Sequence, residues 1–364
     1  MKKKLRVALL FGGKSAEHEI SLISARNIFE AMDKKKYDVV AIGIDKQGRW
    51  FVDDRARLLR SARQSQVEFG GAKNAAAVLP GDTRTPMVRP STAAPFGGVD
   101  VVFPVLHGPL GEDGTVQGLL KLAGIPFVGA GVLGSAVGMD KDVMKRLLRD
   151  AGIPIGKFLV FQRRDRKALS YGKIKRQLGL PLFVKPANLG SSVGISRVTK
   201  KNELRPAIGE AFRYDNKIIV EEAILGREIE CSVLGNEKPM ASLPGEIIVQ
   251  HDFYSYDAKY LDDQGARLEI PARLPKAVVK QIQKIAVEAY RALCCEGMAR
   301  VDFFLRPNGQ VLVNEINTIP GFTKISMYPK MWHASGLGYS RLIDRLIGLA
   351  LARARQEKRL RSSK

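Results

Sequence analysis

The sequence predicts a mixed fold, α/β in its first part and α+β after it, with a doubly wound α/β unit at the front. Three observations carry that expectation. The first 45 residues run strand, small-residue loop, apolar-periodic helix, strand, the order of a unit whose strands are joined by a crossover helix. After "MDKDVMKRLLRDAGIP" at 139–154 the pattern changes, and strands follow one another across short loops. Near the end, "ARVDFFLRPNGQVLVNEINTIPG" at 299–321 reads as a hairpin whose apolar pattern is broken by two carboxylates and an amide.

In chain order, "RVALLF" is the first strand, "LISARNIFEAM" the helix behind it and "YDVVAIGID" the second strand. Residues 60–95 are rich in Ala, Gly, Pro and Ser without periodicity and read as a variable insertion. "DVVFPVLHG" is a strand running into a loop, "TVQGLLKLAG" a helix closed by Gly124, and "IPFVGAG" a further short strand. Asp140 is placed to cap the next helix, and Gly152 and Pro154 to stop it. Strands are then expected at "KFLVF", "LPLFVKP", "VGISRV", "KIIVEEAI", "REIECSVLG" and "EIIV", with a helix near 202–212. A polar, aromatic-rich loop over 251–271 precedes a long helix, "KAVVKQIQKIAVEAYRALCC", which leads into the hairpin.

Composition narrows the function classes. A chain of 364 residues has room for two or three domains with ample cores. Three cysteines, two of them adjacent at 294 and 295, do not make a disulfide framework and suit a reducing, cytoplasmic setting. The opening "MKKKLRVALLFGG" has too short an apolar core for a secretory signal and reads as a buried strand. No run approaches the roughly 18–20 apolar residues of a membrane span. Net charge is +22, which raises a nucleic-acid or anionic-surface binder as a rival class. The basic residues are scattered, however. The dense runs at 2–4, 34–36 and the tail "ARARQEKRLRSSK" carry no interleaved aromatics for base stacking. The reading is therefore a basic surface with a frayed tail and no specific nucleic-acid partner.

The hairpin holds the sharpest chemical signal. "RPNG" at 306–309 favours a tight reversal. A four-residue loop would set Leu305 opposite Gln310 and Asp302 opposite Val313. Arg300, Asp302 and Phe304 would then share a face with Val311, Val313, Glu315 and Asn317. Val301, Phe303, Leu305, Leu312 and Ile316 would turn to a core. Clustered carboxylates repel unless a positive charge lies between them, and an all-oxygen set suits a hard cation such as magnesium. The alternative is a solvated outer face, where most strand acids end up.

Other pieces are weaker alone. "LFVKPANLGSSVGIS" at 182–196 places Lys185 before a loop of Gly190, Ser191, Ser192 and Gly194, whose backbone amides could approach phosphate oxygens. It lacks the ending of a P-loop and opens no helix. "VEEAILGREIE" at 220–230 could present backbone to an adenine and a carboxylate to a ribose, or be a charged surface turn. Glu17 and His18 lie in the first βα loop and His107 follows a strand, where ligands of open α/β sheets collect.

Taken in order, "FGGKSAEHEIS", "FPVLHGPLGEDG", "MDK", "VKPANLGSSVGIS", "VEEAI", "GRE", "YDAKY", "RVDFFL" and "NEINTIPGFTKISMYPKMW" resemble, over nearly the whole chain, the D-alanine–D-alanine ligases of the ATP-grasp superfamily. The resemblance implies an N-terminal α/β substrate domain over 1–139. A central subdomain over 140–228 and a C-terminal subdomain over 229–364 would then grip ATP as a two-part ATP-grasp fold. By position, Lys141 and Lys185 would contact ATP phosphates beside the Ser191–Ser192 loop, and Lys259 would reach the γ-phosphate. Glu221 and the backbone near Ile224 would hold adenine, and Glu228 the ribose. Asp302, Glu315 and Asn317 would bind two magnesium or manganese ions. Glu17, helped by His107, would hold the first D-alanine, and Glu17, Ser191 and Tyr260 would form a hydrogen-bonded set closing the site. Arg300 and the Gly321 N–H would form an oxyanion hole, with Ser326 and the Met327 backbone receiving the second carboxylate. Glu222 departs from the pattern, standing where some relatives have lysine. The resemblance also implies an acyl-phosphate mechanism serving peptidoglycan synthesis, a lid over 251–265 and a homodimer. The nearest alternative is another ATP-grasp carboxylate–amine ligase, or one that makes a D-alanine–D-lactate ester.

Overall fold

β1 (Leu5–Gly12) is the spine of the first sheet in the computed structural model, which describes residues 3–53, 74–81, 87–88, 97–249 and 266–360. It is followed by α1 (His18–Ala31), β2 (Tyr37–Ile44), β3 (Trp50–Asp53), the small pair β4 (Ala77–Val78) and β5 (Met87–Val88), and β6 (Val101–Val105). The sheet order is β3-β2-β1-β6, with β1 parallel to both β2 and β6 and β3 antiparallel at the edge. The run "VALLF" at 7–11 is continuously apolar because both strand faces are covered there. Val7, Leu9 and Phe11 enter a core with Ala25 and Ile28 of α1. Ala8 and Leu10 enter another with Val116 and Leu120 of α2 (Thr115–Leu122). Most of the 60–95 insertion lies outside the described residues; β4 and β5 are part of what is described.

"IPFVGAG" does not form the expected strand. It makes a single parallel bridge, Val102 to Phe127, because Pro126 has no N–H to donate and Gly129 turns the chain at φ +96°. α3 (Val132–Met139) was not anticipated; it carries no charged residue and no side-chain cap. α4 (Lys141–Asp150) begins as expected, with Asp140 Oδ1 accepting the Asp142 and Val143 N–H groups, both at 3.1 Å.

The middle of the chain is an antiparallel sheet ordered β7-β10-β8-β9. It comprises β7 (Phe158–Gln162), β8 (Leu182–Pro186), β9 (Ser196–Val198) and β10 (Lys217–Glu222), with α5 (Tyr171–Leu178) and α6 (Lys201–Tyr214). Val184, Ile218 and Val220 of the sheet pack with Ile174 and Leu178 of α5 and Leu204, Ile208 and Phe212 of α6 in a core of their own.

The last sheet is ordered β14-β13-β11-β15-β16, with β12 against β11. Its strands are β11 (Arg227–Gly235), β12 (Met240–Ala241), β13 (Gly245–Val249), β14 (Ala266–Glu269), β15 (Gly297–Leu305) and β16 (Val311–Asn317). α7 (Lys276–Ala292) covers one face, burying Ile282, Ala286 and Ala289 among Val233, Val301 and Phe303. The hairpin register differs from expectation. Leu305 opposes Val311, Phe303 opposes Val313, and Asp302 opposes Glu315, because Asn314 is an extra residue in a β-bulge. Val311 and Val313 therefore join Phe303 and Leu305 in one core cluster, while Leu312, also buried, lies outside that cluster. The bulge then shifts the alternation, so that Glu315 and Asn317 still share a face with Asp302 and Arg300.

α8 (Met327–Ala334) and α9 (Tyr339–Glu357) complete the chain. The basic tail is not wholly frayed: α9 runs to Glu357, and Arg353 is buried. Its guanidinium donates to the Gly129 and Phe127 carbonyls, each at 2.7 Å. Leu342, Ile343, Leu346, Ile347 and Ala350 pack into the same core as Val7, Leu9 and Phe11. Burying each larger aliphatic side chain contributes about 1.5–3 kcal/mol. No helix among the described residues is long and apolar enough to cross a membrane.

Candidate active site

A cavity of about 460 Å³ opens where the strand ends of the first sheet meet the last sheet and the loop after β8. From the sequence-expected set it is lined by Glu17, His107, Lys141, Ser191, Glu228, Arg300, Asp302, Glu315, Asn317, Gly321, Ser326 and Met327. Lys185, Ser192, Glu221 and Ile224 are described but lie outside its lining. Lys259, Tyr260 and the loop 251–265 fall outside the described residues.

Glu17 is buried just before α1, and its N–H donates to Ser15 Oγ at 3.1 Å. A Cβ at Gly190 would lie 3.8 Å from Glu17 Oε2, so the Gly-Ser loop closes over the first βα loop. His107 is buried behind it. Its Nδ1 sits 3.0 Å from the Ile319 carbonyl and 3.9 Å from Glu112 Oε1, while Nε2 has no hydrogen-bond partner among the described residues. Burial works against a charged imidazole, but Glu112 and Glu17 outweigh it and raise the His107 pKa. Glu112, which sequence reading missed, accepts the Gly108 N–H at 2.8 Å. Burial pushes its carboxyl pKa up against the opposing pull of His107.

The loop after β8 holds Ser191 and Ser192 at φ +52° and +60°, and Gly194 at +70°. Two non-glycine residues in the left-handed region are strained, and such strain gathers where backbone serves a ligand. Gly194 tolerates no side chain: a Cβ would come within 2.7 Å of the Tyr214 ring. Lys141 reaches the loop and donates to the Leu189 carbonyl at 2.5 Å.

Beyond the cavity, Glu221 Oε1 lies 2.8 Å from Lys145 Nζ and Oε2 lies 2.6 Å from Lys185 Nζ. Burial opposes the charge, yet the two ammonium groups hold the Glu221 carboxyl well below the usual carboxylate range. Burial likewise opposes the Lys185 charge, but Glu221 prevails and raises its pKa, with Glu315 and Glu228 adding to the shift. Lys145 was not anticipated. Its signal was the spacing of four from Lys141, which puts both on neighbouring turns of α4. Glu222 turns elsewhere: its Oε1 accepts the Lys157 N–H at 2.8 Å and pairs with Arg306 at 3.2 Å.

On the hairpin, Arg300 grips Asp302 with two hydrogen bonds of 2.7 Å, Nε to Oδ1 and Nη2 to Oδ2. Glu230 Oε2 on β11 is 3.0 Å from Arg300 Nε. Burial disfavours the guanidinium charge, but Asp302 and Glu230 more than compensate and push its pKa well above the ordinary value. Asn317 Oδ1 accepts the Ile319 N–H at 3.0 Å. Further on, Ser326 Oγ accepts the Thr323 N–H at 2.9 Å, and a Cβ at Gly321 would come within 2.8 Å of that oxygen.

The donor chemistry on this wall fits a hard cation. Asp302, Glu315 and Asn317 offer oxygen only and share one sheet face. Within a chain of net charge +22, the cavity gathers Glu17, Glu112, Glu228, Glu230, Asp302 and Glu315 against Lys141, Arg300 and Lys330. Among the described residues, no three or more His, Cys, Asp or Glu side chains converge as a ready metal cluster. Asp302 is turned to Arg300 instead.

Acidic strands and a small-residue loop thus line one cavity, with buried lysines beyond it. Comparison with known proteins narrows the class. The family model described as D-ala D-ala ligase N-terminus matches residues 6–130, and the one described as D-ala D-ala ligase C-terminus matches 147–348. A D-alanine–D-alanine ligase of Oceanobacillus iheyensis is 52% identical over 100% of this chain and 99% of its own length. D-alanine–D-alanine ligase A of Escherichia coli K12 is also 52% identical, over 99% of this chain and 100% of its own. The solved D-alanine–D-alanine ligase of Coxiella burnetii superposes with a TM-score of 0.86 at 44% identity, covering 98% of this chain and 96% of that one. The VanG D-Ala:D-Ser ligase of Enterococcus faecalis superposes with a TM-score of 0.83 at 40% identity, covering 96% and 100%. The chain belongs to the D-alanine–D-alanine ligase family.

Proposed function

We propose that this protein uses ATP to join two D-alanines into D-alanyl-D-alanine, the dipeptide of peptidoglycan precursors. The observation that carries the reading is the single cavity shared by Glu17, Ser191, Arg300, Asp302, Glu315, Gly321 and Ser326, which come from distant parts of the chain. Glu17 holds the first D-alanine's ammonium group, and His107 Nε2 faces the same substrate. That substrate's carboxylate oxygen attacks the γ-phosphorus; the bond to the β-phosphate oxygen breaks, and ADP leaves behind an acyl phosphate. The deprotonated amine of the second D-alanine, its carboxylate received by Ser326 and the Met327 N–H, then attacks the acyl carbon. Arg300 and the Gly321 N–H stabilise the tetrahedral oxyanion, and phosphate departs as the peptide bond forms. Preorganised donors of this kind contribute about 2.7–4 kcal/mol each to the transition state.

Lys141, Lys185 and Lys259 hold the ATP phosphates, Glu221 and the backbone at Ile224 the adenine, and Glu228 the ribose. Asp302, Glu315 and Asn317 are the residues that would hold two magnesium or manganese ions. Such ions, when bound, neutralise triphosphate charge and draw charge from the transferring phosphoryl group. The units 140–228 and 229–364 grip the nucleotide between them, with 1–139 supplying the first substrate's site. Tyr260, with Ser191 and Glu17, closes the site, and the loop 251–265 shields the acyl phosphate from water. We place the enzyme in the cytoplasm as a homodimer.

The 40% identity to a ligase named for D-Ala and D-Ser keeps the second substrate as the point to test. The experiment is phosphate release with ATP, magnesium and a panel of D-alanine, D-serine and D-lactate, with products identified by mass. D-alanyl-D-alanine as the dominant product at neutral pH supports the reading; a dominant D-serine dipeptide or D-lactate ester overturns it.

A further inference from the structure

Arg300 and Asp302 stand two apart on one strand and are locked together by two parallel hydrogen bonds of 2.7 Å. Both oxygens of Asp302 therefore face a guanidinium. A carboxylate held that way has poor access to a cation, and the guanidinium charge repels one. Loading the cation wall requires Arg300 to release Asp302. Left without an acceptor in a buried site, the guanidinium would resist that release, because an uncompensated buried charge is costly.

Glu230 supplies the acceptor. β11 pairs with β15 so that Glu230 lies directly opposite Asp302, on the same sheet face and across from Arg300 by one diagonal. Glu230 is buried and lines the cavity, and its Oε2 is 3.0 Å from Arg300 Nε. That contact is an ion pair and not a hydrogen bond, because the Nε–H points at Asp302 Oδ1. A small rotation of the guanidinium would turn the N–H from one carboxylate to the other. We propose that Glu230 is a positioning residue that takes over Arg300 when Asp302 turns to the metal. It thereby frees Asp302 as a ligand and keeps Arg300 aimed into the cavity. The inference rests on the reading of Asp302 as a metal ligand.

The test is binding of Mn²⁺ to the enzyme with ADP, read by the electron paramagnetic resonance of free Mn²⁺, with no turnover involved. Four proteins form a cycle: wild type, Glu230→Gln, Arg300→Met and the double variant. A hand-over predicts that Glu230→Gln weakens Mn²⁺ binding about tenfold when Arg300 is present and less than about twofold when Arg300 is Met. Equal weakening in both backgrounds would mean that Glu230 acts only through its field or as a ligand itself, and overturns the proposal. So does unchanged binding in Glu230→Gln. Should Glu230→Gln melt far below wild type, Glu230→Asp keeps the carboxylate and takes its place in the cycle. Asp302→Asn is the separate control: if it leaves Mn²⁺ affinity unchanged, the metal assignment fails independently of Glu230.

Discussion

Two charged clusters, one outside the cavity lining and one on it, are built on opposite principles. At Glu221 one carboxylate is held by two lysines, Lys145 and Lys185, at 2.8 and 2.6 Å. At the hairpin one guanidinium, Arg300, is shared between Asp302 and Glu230, with Glu228 and Glu315 also on the cavity wall. The first site is assembled with its positive charge in surplus, ready for an anion. At the second, among the described residues, carboxylates outnumber the cationic side chains on the cavity wall, and one guanidinium sits between two of them. A protein of net charge +22 thus keeps an acidic wall in its cavity.

The contrast can be broken most severely at the pre-assembled site. Lys145 is 3% exposed, and Lys145→Met leaves Glu221 with one partner in a buried setting. Removing one member of a buried pair costs about 3–5 kcal/mol, so the urea midpoint should fall accordingly, with ATP affinity following. The hairpin should answer differently. Glu315→Gln keeps its shape and removes one negative charge from a wall that already has too many. Turnover should drop about 10²–10³-fold with melting near that of wild type. A folded Glu315→Gln protein of normal activity would return this face to plain solvated acids.

Acidity and alkalinity should separate the Glu221 cluster from the cavity further. Glu221 is depressed below its ordinary 4.5, so its stabilisation is present above that pH and lost only as pH falls through the folded value. His107 is raised above 6.5, so its stabilisation is full below that pH and lost as pH rises through the folded value. The stability gap between wild type and His107→Gln, measured by urea titration, should therefore shrink from pH 6 to about pH 9. The gap for Lys145→Met should stay flat over the same range. A His107→Gln gap that grows with pH would contradict the assigned direction. The smallest effect concerns thiols outside both sites. Burial pushes the Cys231 thiol up to about 12 and that of Cys295 higher still, while Cys294 is exposed. One thiol of three should react quickly with a disulfide reagent at pH 8, and Cys294→Ser should abolish that reaction with turnover within about twofold of wild type.

Much of the front half was legible because its strands and helices obey their periods. "VALLF" is apolar on both faces, and α1 repeats its apolar residues at helical spacing. The acids on the hairpin were legible as interruptions of an apolar pattern. Their register was not, because a single bulged residue, Asn314, leaves no mark on composition yet shifts every later pairing by one. Lys145, Glu112 and Glu230 were passed over for a different reason. A charged residue reads as surface unless its partner is known; the partners of Lys145 and Glu230 lie on other elements, and Glu112 meets His107 across a loop whose fold no periodicity marks. The last turns of α9 read as a frayed tail, while the stripe of Leu342, Ile343, Leu346, Ile347 and Ala350 that holds the helix lies upstream of them.

That stripe has a consequence for how the protein is made. The helix formed by residues 339–357 packs on β6 and α1 and completes the core that holds Val7, Leu9 and Phe11 of β1. A ribosome releases β1 hundreds of residues before it makes that helix. Until residues 339–357 are made, that core lacks one wall, and exposed apolar surface of this kind makes a partly folded chain prone to aggregation. A stop codon before residue 339 would remove no residue of the cavity, yet it would strand the oldest part of the chain half built.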